Sequence, residues 1–140
     1  MVVQGGQYEM MRPSVMPYPV TVARPTLRVT QPDAPVAVLE SGAGVLASPN
    51  RIGAADFAGW VQERARYLPQ TFDPAYHAPL STQDPGEAPN RGGLLVAPYG
   101  KGAYVYTTLA FFRQLPAGNP GAARLFVNLL AAKAPAAVTP

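Results

Sequence analysis

The sequence predicts an α/β fold class, a mixed sheet carrying a terminal β-hairpin and closed by one C-terminal helix, and three stretches predict it. Leu94 to Ala97 and Ala103 to Thr108 flank Tyr99-Gly100-Lys101-Gly102, a reversal whose glycines supply the backbone freedom a tight hairpin needs. The first of these runs is apolar throughout, as a strand covered on both faces should be, and the second carries the β-branched and aromatic residues that suit a sheet. Asn119-Pro120 then opens an apolar-striped run with an N-cap residue followed by proline at the first helical position. Val36 to Leu39, set between Pro35 and Ser41-Gly42-Ala43-Gly44, reads as a further short strand.

Taken in order, Met1 to Gln4 reads as the end of a buried strand, being apolar and followed at once by Gly5-Gly6. From Gln7 to Arg28 the prolines at 13, 17, 19 and 25 argue for a long irregular loop, because proline lacks a donor and turns its predecessor away from the helical region. Its Tyr8, Met10, Met11, Met16 and Tyr18 are expected to cover a sheet edge. Gly42-Ala43-Gly44 is half of a phosphate-binding fingerprint without its third glycine, following helix or downstream acid, so a plain turn is the better reading.

Gly53 to Trp60 permits a turn or two of helix with Asp56 at its amino end, where the helix dipole favours a carboxylate. Trp60 to Leu68 fits neither a helical nor a strand period cleanly and is read as a short helix followed by a strand. Pro69 to Asn90, with Asp73-Pro74 and Asp84-Pro85-Gly86, is expected to be turns. Arg113 to Gly118 connects the hairpin to the final helix, whose Ala122, Leu125, Phe126, Leu129, Leu130 and Lys133 recur at three- and four-residue spacing. The ordered domain is expected over 1–133, with 134–140 a disordered tail.

Composition narrows the function classes. The 140 residues are 48% hydrophobic but only 14% charged, low for a free-standing domain against the usual quarter, which suggests surface buried against something else. Nine arginines and two lysines give a net charge of +3 but are spread along the chain. A nucleic-acid footprint needs them gathered, so no nucleic-acid partner is expected. With no cysteine, disulfides, thiolate zinc sites and a cysteine nucleophile are excluded. No run approaches the roughly 20 apolar residues of a membrane-spanning helix, and the chain reads as soluble. Secretion or a periplasmic location would need a signal upstream.

Candidate chemistry is sparse. His77, the only histidine, lies near Asp73 and Asp84 in sequence, without the fixed spacing of a metal site or a general base, so a surface histidine is the better reading. Asp84 and Glu87 would make an acid–base pair only if burial raised one pKa, and a Pro-Gly turn usually leaves such groups in water. No catalytic or metal-binding residue is assigned. The candidate ligand-binding side chains are Tyr8, Tyr18, Trp60, Arg64 and Tyr99, aromatic and arginine groups able to stack on a carbohydrate at the end of a sheet.

Gln7-Tyr8-Glu9, Pro17-Tyr18-Pro19, Pro49-Asn50-Arg51-Ile52, Gly59-Trp60-Val61-Gln62-Glu63-Arg64, Asp84-Pro85-Gly86-Glu87 and Phe112-Arg113-Gln114-Leu115-Pro116-Ala117-Gly118 resemble the carboxy-terminal region of PIG-L (LmbE-like) deacetylase-family proteins. The resemblance covers about residues 1–132. It implies the C-terminal half of a flavodoxin-like, class I glutamine-amidotransferase-like domain, acting as a non-catalytic accessory region or truncated copy of a bacterial N-acetylglucosaminyl deacetylase. The family's zinc centre needs a His-Pro-Asp-Asp type motif and a further histidine, absent from this sequence, so zinc is expected only in a deacetylase domain outside this chain. The implied partner is that N-terminal domain or a separate partner chain, with a glycan as the ligand class. A stand-alone carbohydrate- or small-ligand-binding module is the alternative. The sequence departs from the family at Gly5, where a larger, often aromatic residue is expected, and His77 matches no family signature.

Overall fold

The computed structural model describes residues 1–5, 16–40 and 42–135. Its strands are β1 (Val2–Gln4), β2 (Val20–Val29), β3 (Val36–Val38), β4 (Ala65–Phe72), β5 (Leu80–Thr82), β6 (Leu94–Tyr99) and β7 (Gly102–Thr107). Its helices are α1 (Gly44–Ala47), α2 (Phe111–Gln114) and α3 (Pro120–Leu130), with a 3-10 turn at Ala54–Phe57. The architecture is mixed α/β. In place of one sheet, the described residues form three: β1-β7-β6, β2-β4 and β3-β5. β1 runs parallel to β7, with Val2 opposite Val105, while every other pairing is antiparallel. Single bridges between Ala65 and Leu109, and between His77 and Val96, stitch neighbouring segments to the hairpin.

The hairpin forms where its composition predicts, and its turn needs a left-handed residue that Gly100 supplies at φ 57°. All four residues from Leu94 to Ala97 are buried, so this strand is indeed covered on both faces. The alternation of side chains then divides the interior in two. Leu94, Val96, Ala103 and Val105 join an aliphatic core with Val29, Leu46, Phe57, Trp60, Leu68, Leu80, Leu109, Phe111, Leu125 and Leu129. Leu95, Ala97, Tyr104 and Tyr106 face the other way and pack with Met16, Val20, Tyr76 and Ala78.

α3 is fixed at its start by the predicted cap. The Asn119 Oδ1 accepts from the Ala122 N–H at 3.0 Å, and its Nδ2 donates to the Ala58 carbonyl at 3.1 Å. Ala122, Leu125 and Leu129 are buried, but Leu130 and Val127 face solvent, so the packed stripe is narrower than the spacing suggests. Gly121 lies so close to the 3-10 turn that a Cβ there would collide with the Asp56 backbone. Asp56 caps that turn as expected, its Oδ2 accepting from the Gly53 N–H at 3.0 Å.

Several expectations need correction. The proline-rich stretch is not loop throughout, since Val20–Val29 is a strand of 10 residues. Val22 lies opposite Pro69 and Leu27 opposite the adjacent Leu68, so residues 23–26 bulge out of the ladder and Pro25 forfeits no pairing hydrogen bond. β4 continues through Pro69 to Phe72 into the stretch read as turns, and β5 lies wholly inside it. Tyr67 takes φ 57° at the register shift opposite Leu27 and Arg28, which no local propensity announces. The helical turn expected at 53–60 forms as the 3-10 turn Ala54–Phe57, the short helix read at the start of 60–68 does not form, and α1 and α2 add single helical turns that were not expected. Of the predicted sheet-edge cover, Met16 is buried and Tyr18 half-buried. Tyr8, Met10, Met11 and the last five residues of the expected tail lie outside the described residues.

Candidate functional site

Two of the five ligand candidates are interior scaffold. Trp60 is buried between Phe57 and Phe111, and its indole N–H donates to the Asp56 carbonyl at 3.0 Å. Arg64, only 5% exposed, donates from Nε to the Ala34 carbonyl at 2.9 Å and from Nη1 to the Phe57 carbonyl, with its guanidinium over both the Phe57 and Trp60 rings. Burial lowers its pKa and Asp33 opposes that shift, yet arginine remains charged throughout the working range. The carbonyls and rings are what make that buried cation tolerable.

Tyr18 and Tyr99 lie together near the hairpin end, away from that pair. The Tyr18 hydroxyl donates to the Pro98 carbonyl at 3.1 Å, and its ring meets Tyr76 edge-on at 5.7 Å. Tyr99 is 63% exposed. Tyr8 lies outside the described residues. The candidates therefore do not gather into one stacking platform.

The carboxylates also sort differently. Asp84 is buried at 8% exposure, where the Pro-Gly turn led us to expect solvation. Burial alone would raise its pKa, but N–H donation from Thr30 and Gln31, both at 2.9 Å, the Thr30 hydroxyl at 2.8 Å and the charge of Arg28 hold it below the ordinary value. It is a clasp between the end of β2 and the turn after β5, and its depressed pKa is the reverse of what a general acid needs. Glu87 is exposed and lines a separate groove of about 460 Å³ between β2, β4 and 82–90. Asp73 accepts from the Ala75 N–H at 2.8 Å in a local turn.

His77 occupies a different setting from the surface position expected. Its backbone is locked to β6 by His77 N–H to Val96 O at 2.8 Å and Val96 N–H to His77 O at 2.9 Å. Its half-buried ring places Nδ1 3.8 Å from the Glu40 Oε2, near but beyond hydrogen-bond length. Both line a cleft of about 530 Å³ whose walls include Gly42, Ala43, Gly44 and Val45 of the α1 segment, Pro79, Val96, and residues 131–135 after α3, Lys133 among them. That volume falls in the range of small-molecule sites. Asn128 fixes one wall, donating from Nδ2 to Val45 O at 2.9 Å and to Asn50 O at 2.6 Å while its Oδ1 accepts from Asn50 N at 2.8 Å. None of the five ligand candidates lines this cleft. Sequence reading passed over Glu40 and Lys133 because nothing local ties them to His77.

Among the described residues no three His, Cys, Asp or Glu side chains gather to hold a metal ion. No helix in them is long and apolar enough to cross a membrane. Compared with models of protein families, with curated proteins and with solved structures, the chain matches none.

Proposed function

We propose that the chain is a non-catalytic accessory region, or a truncated copy, of a PIG-L/LmbE-type N-acetylglucosaminyl deacetylase-family protein, built as the closing half of a flavodoxin-type, glutamine-amidotransferase-like unit. One observation carries the reading: the two most specific words of the resemblance, Trp60 to Arg64 and Phe112 to Gly118, meet in a single joint around the buried Gln114 side chain. The Gln114 Oε1 accepts from Val61 N at 2.7 Å, and its Nε2 donates to Val61 O at 2.8 Å and Glu63 O at 3.3 Å. Arg113 Nε pairs with the Glu63 carboxylate at 2.6 Å, and Asn119 N donates to Gln114 O at 3.1 Å.

A glutamine whose amide spends both polar atoms on holding backbone is scaffold, and reagents are not built that way. In this reading the zinc and its histidines belong to a neighbouring N-terminal domain, and the chain's partner is that domain or a chain that carries it. The sheet edge at β1 fits such a partner, because among the described residues β1 pairs with β7 alone.

Two measurements test the proposal. The chain alone, assayed with an N-acetylglucosaminide with and without added zinc, is expected to release no acetate. Sequencing the DNA upstream is expected to reveal a His-Pro-Asp-Asp motif in frame. Acetate release by the isolated chain, or an upstream region with neither the motif nor an adjoining deacetylase gene, overturns it. A stand-alone module for a small ligand is the second reading, favoured by the cleft at His77.

A further inference from the structure

We infer that the cleft between α1, the His77–Pro79 segment and the end of α3 is a binding site for a small aliphatic zwitterion, a free amino acid with a branched hydrocarbon side chain. The inference stands apart from the deacetylase reading, since none of the joint residues lines this cleft.

The argument begins with what surrounds the space. Its lining is chiefly aliphatic: Ala43, Val45, Pro79, Val96, Ala131, Ala132 and their neighbours. Among the described residues no aromatic side chain lines it except the imidazole of His77, so they offer little of the stacking surface on which sugars and nucleobases depend. A branched hydrocarbon group suits such walls.

The charges set the rest. Glu40 and Lys133 lie on the same lining with opposite sign. A simple anion of this size meets the Glu40 carboxylate, and a simple amine meets the Lys133 ammonium. A zwitterion satisfies both, with its ammonium toward Glu40 and its carboxylate toward Lys133. His77 stands beside Glu40 with Nδ1 facing the carboxylate, which leaves Nε2 available to a ligand.

The cleft is also built in advance of any ligand. Leu39 N donates to Pro79 O at 2.8 Å and Ala43 N to Glu40 O at 3.0 Å, fixing the backbone on both sides of Glu40. The paired hydrogen bonds of His77 with Val96, and those of Asn128 with Val45 and Asn50, hold the walls at His77 and at α1. Little ordering is left for a ligand to oppose.

The test is titration of the isotopically labelled chain with L-leucine, followed by amide chemical shifts, alongside 4-methylpentanoate and 3-methylbutylamine as probes that each lack one charge. For a ligand this small a Kd on the order of 10 mM is expected, with shifts confined to residues 40, 42–48, 77–78, 96 and 131–134. Both single-charge probes should bind more weakly than leucine. Glu40→Gln and Lys133→Gln, at exposed positions that leave the core untouched, should each weaken leucine about two- to fivefold. Ala132→Phe, which fills the cleft, should abolish the shifts. Shifts elsewhere, none at saturating leucine, or equal binding of 4-methylpentanoate to the native chain and to Lys133→Gln would overturn the inference.

Discussion

The two sides of the hairpin handle buried polar groups in opposite ways. On the aliphatic side, Gln114 and Asn128 are wholly buried, and each is matched atom for atom by backbone partners. On the tyrosine side, Tyr106 is as deeply buried, yet its hydroxyl has no hydrogen-bond partner among the described residues. Burial raises the Tyr106 pKa, with Tyr104 and Tyr76 adding to the shift, and burial, foremost among the causes, raises Tyr76 to about 12. These phenols stay neutral at working pH. A satisfied buried amide locks one arrangement of loops, whereas an orphaned hydroxyl costs stability and locks nothing.

The strongest way to break the contrast is at Gly121. A Cβ there meets the Asp56 backbone, so Gly121→Val should force α3 off the 3-10 turn at a cost of about 3 kcal/mol or more, measured by urea unfolding. Gln114→Leu comes next. It strands the Val61 N–H and carbonyl and the Glu63 carbonyl, and a loss of about 2–4 kcal/mol is expected. If Gln114→Leu proved neutral, the joint would not be what holds these loops.

Asp84→Asn should cost about 1–2 kcal/mol, and the loss should depend on pH. The folded pKa of Asp84 is depressed, so its contribution is full above the unfolded carboxyl value of about 3.9 and fades as pH falls through the folded value. The native and Asp84→Asn unfolding curves should therefore converge in acid, and curves that stay parallel would exclude this role. The smallest change is expected at Tyr106→Phe, neutral or stabilising by up to about 1 kcal/mol. Gly5 completes that test, because a Cβ at Gly5 would lie 2.9 Å from the Tyr106 hydroxyl and 2.7 Å from the Thr108 Cγ2. Gly5→Ala should destabilise, and Tyr106→Phe should relieve part of the loss in the double variant. Tyr106 and Thr108 occupy the space that a side chain at position 5 would need.

Features governed by neighbouring residues were legible in the sequence. The hairpin at 94–107, the Asn119 cap, the Asp56 turn and the brief strand at Val36 each depend on a few adjacent side chains, and each forms. Features set by distant pairing were not. Val20–Val29 becomes a strand because Ala65–Phe72 lies beside it and the bulge at 23–26 takes up Pro25, and no count of prolines carries that information. Asp84 leaves water because Thr30 and Gln31, 54 and 53 residues away, offer it donors. Trp60 and Arg64 looked like exposed recognition groups by residue type, but Ala34 and Phe57 supply acceptors that draw the cation inward. The cleft itself is assembled from segments separated by tens of residues, so only His77 and the Gly42 to Gly44 turn could be singled out beforehand.

The parallel pairing of β1 with β7 sets an order of events during synthesis. The Met1 nitrogen bonds to the Ala103 carbonyl 102 residues further on, so β1 leaves the ribosome long before its mate exists. At about 5–20 residues per second, it waits roughly 5–20 s unpaired. Nascent chains stalled before residue 103 should have residues 1–5 open to protease, and those stalled well beyond the hairpin should have them protected.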